Sequence, residues 1–342
     1  MKIVYLVASS DISGGQRVIF QQAEELAKGP HTVTLTCPEP EPIWFPISNA
    51  TWETAPFSES KALPEADIRI ATYWTTVAWA VQDFDGPVFH LCQGYEADFS
   101  FNKPFKKEIE AAYAQATHKL TVSPHMADRL KSVGCNRVSH VGQTFDPNEF
   151  PPAKIRKFRH NSPIILLPGI FEADVKGLRE ALEALAQLHC SDLGFHLRRV
   201  STWPQSEAEK HLFSAHEYCM RLSPLEMARA YRGSDLLIGP SHPEEGFGLH
   251  VLEALSSGLP VLISHTPAHR HIAGQAAEYF KWGDSMDILF KLKRLLKNPS
   301  RLQELSQMGP PEARRFSTAK VTGKLVQLFN RSLQKSQAFL SS

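Results

Sequence analysis

Two glutamates, Glu245 and Glu253, flank the segment Gly246-Phe247-Gly248-Leu249. Glycine lets backbone come close to a ligand. From Gly248 to Ser257 the residues favour helix, with Leu249, Leu252 and Leu255 as the expected buried stripe. Gly258 and Pro260 then mark its end. A helix that starts just after glycine-rich backbone offers unpaired N–H groups and a positive dipole end, a setting for a phosphate. Carboxylates repel phosphate, so the two glutamates need another partner. Sugar hydroxyls fit, because a carboxylate accepts hydrogen bonds from two neighbouring hydroxyls. The stretch suits a ligand with a diphosphate in the middle and a sugar at each end. The plainer alternative is a solvated loop with glutamates that stabilise a helix start.

The elements that must hold this stretch come in two series. Lys2 to Ala8 reads as a buried strand, Ser9 to Gly15 as a polar turn containing Gly14-Gly15, and Gln16 to Lys28 as a helix. Thr32 to Cys37 reads as the next strand, completing a βαβ unit. It lacks the G-x-G-x-x-G spacing of dinucleotide binders. Further strands are expected at 68–72, 88–93, 119–123 and 137–141, with helices at 73–81, 104–115 and 124–133. From Gly142 to Pro163 prolines gather with Lys154, Arg156, Lys157 and Arg159, the composition of a linker. A second series follows: strands at 164–168, 195–200 and 235–238, helices at 177–188 and 225–231, and, after the glycine-started helix, a strand again up to Ile263. The tail from Asp284 reads as mostly helical. The expected fold class is α/β, with two doubly wound Rossmann-like domains facing a central cleft. The expected boundaries are 1–150, 151–315 and a C-terminal helix, 316–342, that packs back on the first domain.

The chain has 342 residues, 42% of them hydrophobic, and a net charge of +1. That length suits two domains, and that charge carries no nucleic-acid footprint. The five cysteines are scattered without CxxC spacing, which argues against a metal site or a disulfide framework and for a reducing cytoplasm. No apolar run reaches membrane-spanning length.

Pro-Ser before Glu245, Gly-Phe-Gly-Leu after it, and Leu-Glu-Ala-x3-Gly-x-Pro-Val from Leu252 together resemble the nucleotide-sugar signature of the retaining glycosyltransferases of family 4 (glycosyltransferase group 1), which have the GT-B fold. Gly14-Gly15-Gln16-Arg17-Val18 resembles that family's glycine loop beside the donor phosphates, though Gly-Gly also serves simple tight turns. Lys176-Gly177 resembles its Lys-Gly, whose lysine neutralises the leaving diphosphate; a solvated lysine is the plainer reading. Gly142 to Asp146 with Phe150-Pro151 resembles its interdomain segment.

The chain also departs from the pattern. Ile170 stands where the family has an arginine for the second phosphate charge, leaving Arg198, Arg199, Arg179 and Arg270 as candidate replacements. Gln93 aligns with the family's site histidine. His90 falls earlier, inside a strand, where histidines are more often satisfied core residues. Thr266 to His271 lacks the family's Glu.

The resemblance implies a retaining glycosyltransferase in cell-surface polysaccharide or glycoconjugate assembly. Its partners would be a nucleotide-sugar donor and a glycan or lipid-linked acceptor. It implies Glu245, Lys176 and Gln93 as catalytic residues. Gly14, Gly15, Gly246, Phe247, Gly248, Leu249 and Glu253 would bind donor, with Glu245 on the transferred sugar and Glu253 on the ribose. The nucleoside-diphosphate sugar is substrate, so no cofactor is expected, and without an Asp-x-Asp motif no metal is expected either. A phosphorylase or epimerase on the same fold stays open, as does a non-catalytic sugar-nucleotide or glycan binder. Lys103, Lys106 and Lys107 fit either peripheral contact with an anionic membrane or a solvated helix start.

Overall fold

The computed structural model describes residues 1–57, 63–153, 156–159, 161–191 and 193–340. These divide into two compact units. One holds residues 1–98, 102–145 and 316–342, and the other residues 99–101 and 146–315.

In the first unit the strands are β1 (Lys2–Leu6), β2 (Thr32–Cys37), β3 (Thr51–Thr54), β4 (Ile68–Ala71), β5 (Val88–Cys92), β6 (His118–Thr121) and β7 (Val138–His140). They form one sheet in the order β3-β2-β1-β4-β5-β6-β7, and every pairing is parallel. The crossovers carry α1 (Gly14–Ala27), α2 (Trp74–Val81), α3 (Lys106–Ala114) and α4 (Pro124–Ser132). A doubly covered parallel sheet demands continuous apolar strands, and Ile3, Tyr5, Ile70, Phe89 and Leu91 supply the buried layer. The C-terminal helix α12 (Thr318–Leu340) belongs to this unit, and its Leu325 and Phe329 enter the same core. Phe329 meets Phe89 edge-on with ring centroids 4.8 Å apart.

In the second unit the strands are β8 (Ile164–Pro168), β9 (His196–Ser201), β10 (Glu217–Met220), β11 (Leu236–Gly239), β12 (Val261–Ser264) and β13 (Glu278–Phe280). Their order is β10-β9-β8-β11-β12-β13, again parallel throughout. The helices are α5 (Leu178–His189), α6 (Glu207–Leu212), α7 (Pro224–Gly233), α8 (Leu249–Ser256), α9 (Pro267–Ala273), α10 (Ser285–Leu296) and α11 (Pro299–Ala313). Leu178, Leu182, Leu185 and Leu188 line one face of α5 and are fully buried. Each contributes roughly 1.5–3 kcal/mol relative to exposure. Ser223 and Glu226 close a capping box at the start of α7.

Three local expectations are corrected. Gly14 and Gly15 are the first residues of α1, capped by Ser13, and not part of the preceding turn. Leu249 is only half-buried, because it opens the first turn of α8, and the buried residues begin at Val251, with Leu252, Ala254 and Leu255. The basic segment before β8 is docked, not a loose linker. The Arg156 guanidinium donates to the carbonyls of Tyr231, Ser234 and Ser257, at the C-terminal ends of α7 and α8 where a cation is favoured. Arg159 pairs with Asp235 at 2.9 Å. Lys154 lies outside the described residues. Among the described residues no helix is long and apolar enough to cross a membrane.

Candidate active site

Lys176 ends a short 3-10 turn, Asp174–Lys176, whose C-cap is Gly177 at φ +61°. A Cβ at residue 177 would lie 2.2 Å from the Pro240 carbonyl oxygen. Only glycine allows both that left-handed backbone and that approach. The His242 N–H donates to the Val175 carbonyl at 2.8 Å, so the loops after β8 and β11 are fastened together.

Their closeness brings Lys176 to Glu245. Lys176 Nζ donates to Glu245 Oε2 at 2.5 Å, and Ser241 Oγ donates to the same oxygen at 3.3 Å. The lysine side chain keeps 31% of its exposure and the glutamate 14%. Burial pushes the Glu245 carboxyl up. The Lys176 charge and hydrogen bond, with smaller effects of His250 and His269, outweigh that and leave it below the usual carboxylate range.

Gly248, the N-cap of α8, adopts φ +98° and brings no capping side chain to the first turn. A Cβ there would come within 3.2 Å of the His269 ring. Gly246 and Phe247 are buried just before it, and Leu249 opens the helix. The first-turn N–H groups of α8 thus end on a glycine beside the Lys176–Glu245 pair, an anion-binding arrangement. Glu253, one turn further, is 6% exposed and accepts from the Tyr231 hydroxyl of α7 at 2.7 Å.

Sequence reasoning missed His250. Its ring interacts with both Lys176 and Glu245, and burial, followed by the Lys176 charge, pushes its pKa down to about 3. It is therefore neutral at physiological pH. A signal existed, because His250 and Glu253 are three residues apart on one helix and share a face.

Gln93 and the paired glycines meet in the first unit. Gln93 follows β5, and its Nε2 donates to the Gly15 carbonyl at 2.9 Å. Both lie at carboxyl ends of strands, where open α/β sheets bind ligands. The structure thus brings Gln93 to Gly15 and Lys176 to Glu245, in separate units. His90 sits in β5 at 0% exposure, and burial drives its pKa to about 3. Its ring nitrogens make no hydrogen bond among the described residues, so this core histidine is neutral and not satisfied.

The candidate arginines fare differently. Arg199 is fully buried, pairs with Glu209 at 2.6 Å and donates to the carbonyls of Leu167 and Gly169, so it is a structural clamp. Arg198 pairs with Glu217 at 2.7 Å, and Arg270 lies over the Tyr279 ring. Arg179 is exposed in the first turn of α5, over the Phe171 ring. Among the described residues no cluster of His, Cys, Asp or Glu is arranged to hold a metal.

Residues 162–298 match the family model described as glycosyl transferases group 1. The chain is 24% identical over 171 residues to a phosphatidyl-myo-inositol mannosyltransferase of Mycobacterium leprae, a match covering 48% of this chain and 46% of that protein. It is 32% identical over 114 residues to a D-inositol 3-phosphate glycosyltransferase of Thermobispora bispora, covering 32% and 26%. The matched stretches therefore span less than half the length of these curated relatives. Among solved structures, Anabaena HepE in complex with UDP-glucose superposes with a TM-score of 0.78 at 13% identity, over 97% of this chain and 100% of that one. Sucrose-phosphate synthase from Thermosynechococcus elongatus superposes with a TM-score of 0.75 at 16% identity, over 100% of both. At such identity these likenesses speak to fold, and the fold agrees with the two parallel sheets. Residues 162–298 are a glycosyl transferases group 1 domain, and the chain that carries it has the GT-B fold.

Proposed function

We propose that this chain is a retaining glycosyltransferase. It moves a sugar from a nucleoside-diphosphate donor to a hydroxyl of a glycan or lipid-linked acceptor, in cell-surface polysaccharide or glycoconjugate assembly. The observation that carries the reading is the Lys176–Glu245 pair at the glycine-started N-terminus of α8. An ammonium has three donors, so Lys176 can hold Glu245 and still serve diphosphate oxygens. Glu245 takes hydroxyls of the transferred sugar, and Glu253, oriented by Tyr231, takes the ribose. The backbone of Gly246, Phe247, Gly248 and Leu249 faces the diphosphate, and Gly14 and Gly15 are further donor-binding residues.

In the reaction the acceptor oxygen bonds to the anomeric carbon on the face from which the phosphate leaves. The bond from that carbon to the phosphate oxygen breaks, and the acceptor proton passes to the departing phosphate. Negative charge grows on that phosphate, so fixed donors stabilise the transition state more than the bound donor. Gln93 cannot act as a base, but it can hold a reacting hydroxyl in place. HepE was solved with UDP-glucose, which makes UDP-sugars the first donors to try. A thermal-shift panel of nucleotide sugars, followed by NMR of the product's anomeric configuration, tests the reading. Stabilisation by no donor, or an inverted product, refutes it.

Ile170 in place of an arginine favours a second reading, donor binding without transfer. Thermal stabilisation by a donor, with no product across a broad acceptor panel, would select it. Peripheral contact with an anionic membrane that presents a lipid-linked acceptor is supported by the segment around the 3-10 helix Ser100–Phe105. There Phe101 and Phe105 are exposed beside exposed Lys103, Lys106 and Lys107. Flotation with anionic but not neutral liposomes is the expected result, and indifference to lipid charge removes the idea.

A further inference from the structure

The turn that carries Gln93 is anchored from below by two buried side chains with no role in the reaction described above. Tyr113 of α3 is 3% exposed, and its hydroxyl lies 3.0 Å from the Gly94 carbonyl oxygen. The same hydroxyl is in short contact with Oε2 of Glu96, which is 4% exposed. A phenol has one proton, and the Gly94 carbonyl and a Glu96 carboxylate are both acceptors only. With Glu96 ionised, one of the two contacts has no proton. With Glu96 neutral, both are filled: its O–H donates to Tyr113 Oη, and the Tyr113 O–H donates to Gly94.

We propose that Glu96 is a positioning residue, held as a carboxylic acid so that a proton chain Glu96–Tyr113–Gly94 fixes the turn bearing Gln93 against Gly15. This rests on the reading of Gln93 as part of the transfer site. The surroundings favour the neutral form. On β5, Cys92 is fully buried and its thiol is pushed well up, while His90, 4.7 Å from the Tyr113 ring, is neutral. On β6, the Lys119 ammonium is engaged by the carbonyls of Gln115 and Thr117 and by Thr117 Oγ1. Cys135 is buried with its thiol pushed up, and Tyr95 packs edge-on against Tyr113. In the same turn Asp98 is paired with Arg129 of α4, away from Glu96. Among the described residues, no cation is hydrogen-bonded to the Glu96 carboxyl. Burial lifts it to about 7, against the lowering effect of the Tyr113 hydroxyl and its own N–H.

The test uses the full chain with carbonyl-labelled glutamate, its carboxyl carbons followed by NMR against pH. One resonance should titrate near pH 7 and be missing from Glu96→Gln. In Tyr113→Phe the neutral acid loses its acceptor and the carboxylate its donor, so that midpoint should leave its wild-type value. A second arm measures transfer. Above pH 7 wild-type kcat should fall roughly tenfold per pH unit if only the protonated form positions Gln93. Glu96→Gln, whose amide N–H replaces the acid proton, should lack that limb with little change in donor KM, whereas Glu96→Ala should lose kcat at every pH. A Glu96 resonance titrating near the ordinary value of about 4.3 overturns the proposal. So does an alkaline limb that survives in Glu96→Gln. Should no variant or wild type transfer sugar, the reading of Gln93 fails, and the NMR midpoints alone decide the proton chain. If Glu96→Gln does not fold, the Tyr113→Phe shift decides instead, and an unmoved midpoint refutes the chain.

Discussion

Replacing Lys176 with methionine should reverse the way stability depends on pH. In the wild-type chain the Glu245 carboxyl lies below its ordinary range, chiefly because Lys176 opposes the cost of burial. A depressed carboxylate contributes stability that is present above its unfolded pKa and is lost as pH falls through the folded one. In Lys176→Met only the smaller effects of His250, His269 and the Ser241 hydroxyl still oppose the burial cost, so the folded pKa is expected to rise above the unfolded value. Stability is then lost as pH increases through that window. Breaking a buried pair by removing one partner costs about 3–5 kcal/mol. Here the lysine keeps 31% of its exposure and the glutamate 14%. Water therefore recovers part of that cost, and about 2–3 kcal/mol is expected at pH 8. For a unit of this size the loss corresponds to a fall in Tm of roughly 4–12 °C. The gap between variant and wild type should narrow toward pH 4.5, where the variant's carboxyl is protonated. The double variant Lys176→Met/Glu245→Gln removes the stranded charge, so at pH 8 it should be more stable than Lys176→Met alone. Calorimetry of the three variants across pH 4.5–8 measures both effects. A gap that does not change with pH, or a double variant no better than the single at pH 8, would show that the short contact has no energetic content.

Other predictions follow from the same geometry. Gly177→Ala should cost roughly 2–4 kcal/mol, from a left-handed alanine and a Cβ pressed on the Pro240 carbonyl, and should weaken donor binding; wild-type stability and binding would refute the close approach. Wild type should prefer ribonucleotide over 2′-deoxy donors by about 1.5–3 kcal/mol, a preference that Glu253→Gln shrinks and Glu245→Gln leaves intact while it relaxes sugar choice. Both variants losing both preferences equally would sink that assignment. Transfer should survive EDTA, because Lys176 and the α8 N-terminus offset the diphosphate charge; loss of activity restored by Mg²⁺ or Mn²⁺ would refute this.

The sequence made the sheet interiors legible and three of the four sheet edges obscure, β7 being the edge strand it did announce. β2 and β8 match their expected ranges, and each lies inside its sheet, β8 as an apolar run and β2 with alternating threonines around buried Val33 and Leu35. The strands missed were β3, β10 and β13, and each lies at an edge of its sheet. An edge strand is covered on fewer sides, and β3 and β10 have no fully buried residue at all. The pattern that announces a buried strand is then absent.

The site was legible where it lay within one stretch and illegible where it depended on distant parts. Glu245, Gly248 and Glu253 sit within nine residues, so spacing and helix-start chemistry revealed them. The Lys176–Glu245 contact spans 69 residues and needs Gly177 against Pro240, which no local pattern announces. Arg199 illustrates the same limit. Neighbours on a strand point to opposite faces, so Arg198 and Arg199 cannot share a destination. Which of them turns inward depends on whether a partner waits there. That partner is Glu209 on α6, a six-residue helix absent from the sequence reading. Without α6 a buried arginine has no carboxylate to meet, and Arg199 stays a candidate for the diphosphate. With α6 in place its guanidinium is committed to Glu209 and to the carbonyls that end β8, and it carries no charge to the donor loops. One unrecognised helix was enough to keep a structural arginine among four candidates for the diphosphate.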